Sequence, residues 1–291
     1  MLNRSFSRLI RSTLVGVLMS TATPLPAEAP TDFATVLMRS TFKIEGGSTL
    51  GTVFVIGAPD PASPGRARYV LITATHVLRD IPGALAVLHL RRKRGSGFER
   101  LPVQIPIRDN GRPLWTAHAA LDVAVMPVAL PLEADLPLAS TDMLASDDIL
   151  ASLEIRPGDT LVALGFPYGA ESNDAGFPIL RSARISSYPI LPTAETKTLL
   201  LDVPVFPGNS GGPVFLYAEN RVMGGGTHIG TSQCLVGVVS EERTLDEKLT
   251  GIDEVTVKKH RLGLAVVVHA AFVRQLVSRL FPQPALATPN P

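Results

Sequence analysis

The sequence predicts an all-β chain finished by one C-terminal helix. Three observations carry this. Glycine (24) and proline (25) recur through the 291 residues and cut the chain into short segments. Many of those segments are β-branched and bounded by turn residues, as at 51–57 and 69–72, the signature of strands. Apolar residues fall at helical spacing at Phe272, Val273, Leu276, Val277 and Leu280, ahead of Pro282, which predicts a helix over 269–280. A hydrophobic content of 45% is enough for a sizeable core.

In chain order, residues 1–29 read as a leader. Arg4, Arg8 and Arg11 precede an apolar stretch at 13–19 and then small residues, the order of a secretory signal peptide. Ala27-Glu28-Ala29 and Ser20-Thr21-Ala22 are the candidate cleavage spacings. A mitochondrial transit peptide is the alternative, because the segment is rich in arginine and serine and has no acid before Glu28. The apolar stretch is too short to cross a bilayer, so no stable membrane anchor is expected after signal removal. The destination is the periplasm or the exterior.

Residues 40–45 alternate like a half-buried strand, and 51–57 follow as the next strand. A Pro/Gly loop is expected at 58–68. The run 69–72 ends in small residues and His76. Residues 85–90 read as a strand, and 91–97, with Arg91, Arg92, Lys93 and Arg94, as an exposed, solvated hairpin tip. Prolines place 101–107 on a sheet edge. Asp122 is a single acid inside the apolar strand 120–126. The acidic, proline-rich stretch 127–159 has no clear period and reads as a linker. Strands are expected at 161–169, 179–187, 198–203, 234–240 and 263–268. A Gly-rich loop holding His228 is expected at 216–231, a charged surface excursion at 241–259, and a disordered tail at 283–291.

The chemistry concentrates at Val205-Phe206-Pro207-Gly208-Asn209-Ser210-Gly211-Gly212-Pro213. Apolar flanks read as strands, and the glycines allow a tight turn that presents one hydroxyl. Such a turn can aim the amides of Gly208 and Ser210 at one point, as a tetrahedral intermediate requires. Serine needs a base and a group to orient it. His76 and Asp122 supply these residue types: a lone carboxylate among apolar residues needs a donor, and an imidazole is one.

The order His, Asp, Ser, carried by TATHV, LDVAV and GNSGGP, resembles the chymotrypsin-fold (trypsin-like) serine peptidases. The nearest branch is the bacterial, disulfide-free one that supplies the HtrA/Deg protease domain, here without a PDZ-like segment after Leu280. The resemblance covers about 36–280 and implies two antiparallel six-stranded β-barrels over a domain at 32–282. The first barrel would span about 35–130, the second 155–268, with helix 269–280 behind them. It implies catalytic His76, Asp122 and Ser210, with an oxyanion hole from Gly208 and Ser210. Substrate-binding walls would come from Pro204 and Phe206, from Ser240, Glu241 and Glu242, and from Gly263 and Ala265. Ser240 would also help hold Asp122. The segment before the nucleophile has no acid near 203–205, so a small or medium apolar side chain is expected before the scissile bond. Ile44-Glu45-Gly46-Gly47 resembles the freed amino terminus of the digestive relatives, but neutral Asn209 stands where their acid would pair with it. No cleavage-dependent activation is therefore expected.

Other candidates carry less. His118, His228, His260 and His269 read as surface or packing residues, and Asp135, Asp142 and Asp202 lie in no comparable apolar run. No HExxH or paired-cysteine spacing occurs, so no metal is expected; no cofactor is expected either. A net charge of +1 gives no field for nucleic acid, and the expected partner is a polypeptide substrate. The lone Cys234 excludes an intrachain disulfide and reads as a small buried hydrophobe. Two rivals remain: a catalytically silent peptidase fold kept as a binding module, and a G-x-S-x-G esterase, which needs a helix after the serine.

Overall fold

The structure is a computed structural model that describes residues 32–60, 67–250 and 255–281. The leader at 1–29, most of the loop at 58–68 and the tail at 283–291 lie outside the described residues. The chain opens with helix α1 (Phe33–Ser40). Asp32 caps it by accepting the Thr35 amide, which satisfies an otherwise orphaned donor.

The first sheet begins with β1 (Thr41–Gly46), β2 (Thr49–Pro59) and β3 (Ala67–Thr73). Helix α2 (Thr75–Asp80) follows, then β4 (Leu85–Arg94) and β5 (Gly97–Pro106). A small hairpin of β6 (Arg108–Asp109) and β7 (Arg112–Pro113) stands apart. β8 (Thr116–Ala117), β9 (Ala124–Pro127) and β10 (Ala139–Ser140) complete the sheet. The order is β5-β4-β1-β2-β3-β9-β8, with β10 parallel to β2. Eight strands stand where six are predicted, because β8 and β10 add two-residue pairings.

The second sheet comes after α3 (Asp147–Ser152). It contains β11 (Thr160–Gly165) and β12 (Ile179–Arg184). After the short α4 (Thr193–Thr196) come β13 (Thr198–Asp202), β14 (Pro213–Met223), β15 (Gly226–Thr250) and β16 (Val255–His269). The order is β12-β11-β14-β15-β16-β13, and an Ile185–Leu201 bridge brings its two ends together. Helix α5 (Ala270–Leu280) closes the described chain. The fold is thus all-β, two antiparallel barrel-like sheets and a C-terminal helix.

Three apolar clusters hold it. One fills the first sheet around Phe42, Leu78 and Leu88, and one fills the second around Leu161, Leu201 and Val236. A third joins Phe54 and Ile72 of the first sheet to Phe215 and Leu235 of the second and to Phe272 and Leu276 of α5. Burial of such side chains is worth about 1.5–3 kcal/mol each, so this shared cluster is what fixes one sheet against the other.

Several local expectations are corrected. The Gly-rich loop at 216–231 is a β14–β15 hairpin, with Gly224 and Gly225 at its turn. The charged stretch 241–259 is part of a second hairpin, paired from Gly237–His269 out to Thr250–Val255. The stretch 127–159 is not featureless, since it carries β10 and α3. Arg91 is not in a solvated tip: it is fully buried, with its guanidinium donating to the carbonyls of Gly176, Arg39 and Thr41. Phe42 and Phe177 pack on its two sides at 4.5 and 4.2 Å. A buried charge is costly unless hydrogen-bonded; carbonyls meet the donors of both Nη atoms, while Nε has no partner among the described residues. Ile44 lies in mid-strand between Gly51 and Leu88.

Candidate active site

β3 stops at Thr73, and α2 starts two residues later, so His76 enters the first turn of a helix. β9 pairs antiparallel with β3, Ala124 opposite Thr73. Carrying that register two residues further puts Asp122 level with Thr75, the residue just before His76. Asp122 lies in a bend just before β9 rather than inside a strand, as the sequence suggests. The reason is its hydrogen bonding: one oxygen accepts the His76 backbone N–H at 2.9 Å, the other the His76 Nδ1 at 2.7 Å.

The Ser240 hydroxyl gives Asp122 a third donor at 2.8 Å. Burial pushes the Asp122 carboxyl up, but the hydrogen bonds from the His76 ring and backbone and from Ser240 outweigh it and hold the group at about 2. The reciprocal effect raises the His76 pKa, through the Asp122 hydrogen bond and against the lowering pull of burial. A carboxylate only accepts, so Nδ1 carries the proton and Nε2 of the neutral ring is a free base.

Ser210 stands in the turn between β13 and β14, a strand on each side. The strand-to-helix turn of an esterase is not formed. Gly211 N–H donates to the Val239 carbonyl at 2.7 Å, and Val239 N–H returns to Gly212 at 2.9 Å. Ser240 is the next residue after Val239, so the same backbone contact that seats the turn also carries the hydroxyl that binds Asp122. On its other side the turn meets β2: Thr52 donates its amide to the Ser210 carbonyl at 2.9 Å and its hydroxyl to the Gly208 carbonyl at 2.6 Å. Sequence reading passes over Thr52, which carries no signal beyond its place in an apolar strand.

Two glycines are required by this close approach. Gly208 (φ +97°) would place a Cβ 2.1 Å from the Phe166 carbonyl oxygen, and Gly211 (φ +90°) 2.0 Å from that of Thr52. A Cβ at Gly211 would also stand 3.1 Å from the Ala74 amide nitrogen, two residues before His76. The Ser210 turn thus packs against the start of α2, which carries His76.

Within the turn, the amides of Asn209, Gly211 and Gly212 donate to the carbonyls of Phe206, Val239 and Asn209. The N–H groups of Gly208 and Ser210 have no partner among the described residues. The Ser210 hydroxyl has none there either, and no hydrogen bond joins it to His76. Catalytic hydrogen bonds are commonly open in a free enzyme and tighten around substrate.

The expected substrate walls are spread differently. Ser240 is buried and spends its hydroxyl on Asp122. Ala265 is fully buried and, with Val203, Pro204, Val205 and Val239, lines a cavity behind the turn. Glu241 is exposed, and Gly263 is half-buried with φ +70°. Glu242 pairs with Arg261, which also donates to the Val205 carbonyl. Phe206 lies 5.3 Å from the ring of Tyr168.

The remaining candidates have other occupations. His118 stacks edge-on to Phe272 at 5.1 Å, His260 pairs with Glu247, and His269 is fully buried. His228 lies on β15 opposite Arg221, and Asp135 pairs with Arg39. Asp142 accepts from the Ser140 hydroxyl, and Asp202 is exposed at the end of β13. Among the described residues no group of three or more His, Cys, Asp or Glu could hold a metal ion. Nor is any helix there long and apolar enough to cross a membrane.

The family described as trypsin-like peptidase domain matches residues 51–224. Among solved structures, the chain is similar to the inactive form of Rv3671c from M. tuberculosis H37Rv. That match has 20% identity over 91% of this chain and 98% of that one, with a TM-score of 0.41. It is also similar to the protease Anisep from Arthrobacter nicotinovorans, at 14% identity over 84% and 95% with a TM-score of 0.44. Human heparin binding protein matches at 12% identity over 88% and 96%, with a TM-score of 0.47. No curated protein matches the chain.

Proposed function

The chain belongs to the trypsin-like peptidase family, whose members are serine peptidases, and from that premise we propose how its own residues hydrolyse a peptide bond. Ser210 attacks the carbonyl carbon while Nε2 of His76 takes the hydroxyl proton. Asp122 holds the ring by its Nδ1–H and stabilises the imidazolium that forms. The N–H groups of Gly208 and Ser210 donate hydrogen bonds to the carbonyl oxygen as negative charge develops on it. Collapse expels the amine, protonated by His76, and leaves an acyl ester on Ser210. Water, deprotonated by the same imidazole, releases the acid and restores the hydroxyl.

The observation that carries this reading is the turn itself. Among the described residues its Gly208 and Ser210 N–H groups and the Ser210 hydroxyl have no partner, while the amides of Asn209 and Gly211 are bonded. Buried or half-buried donors are seldom left open without a use. The proposal includes export, with residues 1–29 as the signal peptide, supported by the order of arginines, apolar stretch and small residues.

The test is hydrolysis of a labelled protein such as casein by the full chain and by Ser210→Ala. The variant is expected to lose several orders of magnitude in rate with its circular dichroism unchanged. Undiminished hydrolysis by the variant contradicts the assignment.

A further inference from the structure

Two guanidinium groups converge on the segment that leads into the nucleophile turn. Arg181, on β12, donates from Nη1 to the Pro204 carbonyl at 2.6 Å and sits 5.7 Å from the centre of the Phe206 ring. Arg261, on β16, lies over the same ring at 5.5 Å, with a bond to the Val205 carbonyl. Only one carboxylate answers them. Glu242 pairs with Arg261, whereas Arg181 has no carboxylate partner among the described residues. A guanidinium has five donors in a planar fork, and Arg181 uses one of them on protein.

Arg181 also faces a cavity. Its walls are largely apolar, with Val203, Val205, Val239 and Ala265 among them, and Arg181 and Asn209 also line it. Asn209 is only 9% exposed, and its Oδ1 has no partner among the described residues. The cavity is narrow as it stands, about 10 Å³, room for roughly one water. A side chain therefore enters by displacing the Arg181–Pro204 bond and drawing Arg261 off Glu242. Both arginines are long and partly solvated, so they can turn without disturbing a strand.

We propose that Arg181 and Arg261 make this a carboxylate subsite, so that the chain prefers peptide bonds preceded by glutamate or aspartate. The inference rests on the peptidase reading, and it replaces the apolar preference expected from the sequence. The reasons are the unmatched positive charge, the open donors of Arg181, and a cavity lined by Asn209, the residue between Gly208 and Ser210. Planar, bidentate recognition of a carboxylate is what arginine does best. Glu242 then acts as an internal competitor for Arg261. Arg181 and Arg261 are specificity-determining residues in this account.

The experiment uses the full chain and five fluorogenic peptides that differ only in the residue before the scissile bond: Glu, Asp, Gln, Leu and Lys. The Glu peptide is expected to exceed the Gln peptide in kcat/KM by about tenfold, the factor that one modest charge-assisted contact supplies. Arg181→Gln should collapse the Glu/Gln ratio, Arg181→Lys should keep part of it, and Glu242→Gln should raise it. The ratio is internal to each variant, so partial misfolding does not imitate either sign. Cleavage of the Gln or Leu peptide at least as fast as Glu overturns the subsite while leaving the peptidase reading intact. A ratio unmoved by both Arg181→Gln and Glu242→Gln does the same. Failure to cleave any of the five, together with inertness towards casein, overturns both.

Discussion

At the scale of single residues, the proposed mechanism makes the pair His76–Asp122 the source of the pH behaviour. The hydrogen bond at 2.7 Å stabilises the protonated ring, so the folded pKa of His76 is raised. A raised pKa keeps the ring charged to higher pH, and a charged ring cannot act as base. In the free enzyme, kcat/KM is thus expected to fall on the acid side with an apparent pKa above the ordinary imidazole value of about 6.5. Asp122→Asn should move that limb down and lower the rate by up to about four orders of magnitude. A pH–rate profile flat between about 5 and 8 contradicts a histidine base. His76, Asp122 and Ser210 were legible because each is a polar group set in an apolar or glycine-rich run. Thr52, Arg181 and Arg261 were not. Their bonds go to backbone carbonyls, which any residue supplies, so no spacing announces them. Arg91 shows the opposite failure: a basic cluster reads as solvated, and only the chain fold reveals the carbonyls that draw one of its members inside.

At the scale of elements, the Ser210 turn is a second-sheet loop pinned by a first-sheet strand. The Thr52 hydroxyl holds the Gly208 carbonyl at 2.6 Å, and that fixes the peptide following the Gly208 amide. Thr52→Val keeps the shape of the side chain and removes the donor. It should lower kcat more than it raises KM, by about tenfold, since a whole oxyanion donor is worth about 10²–10³; an unchanged kcat would show that the strand does not position the turn. Short strands were readable where the chain is buried, on both faces in β3 and on alternate residues in β13. The arms formed by β14, β15 and β16 were not, because their outer parts are solvated on both faces. Val222, Ile229, Leu245 and Val257 stand exposed there, and bulge-like register shifts interrupt the pairing. With no buried face there is no period of two to read.

At the scale of the whole molecule, the apolar cluster shared by the two sheets and α5 does the work that disulfides do in small secreted domains. The one cysteine, Cys234, is buried, and burial pushes its thiol up to about 12. Thermal unfolding is therefore expected to have the same midpoint with and without dithiothreitol, and a maleimide should leave folded protein unmodified. A reductant-dependent midpoint would mean that cross-links between chains support the fold. The barrel architecture and helix were legible as a whole, since the motifs arrive in the order that two such sheets require. The two-sheet junction itself was not, because it is built from residues such as Phe54, Phe215 and Phe272, which look alike in any core. The most direct test of the central claim is covalent labelling of the purified full chain with a fluorophosphonate, followed by sequencing of the modified peptide. The account predicts a single adduct on Ser210, lost in His76→Ala; labelling at another residue, or equal labelling of the His76 variant, contradicts it.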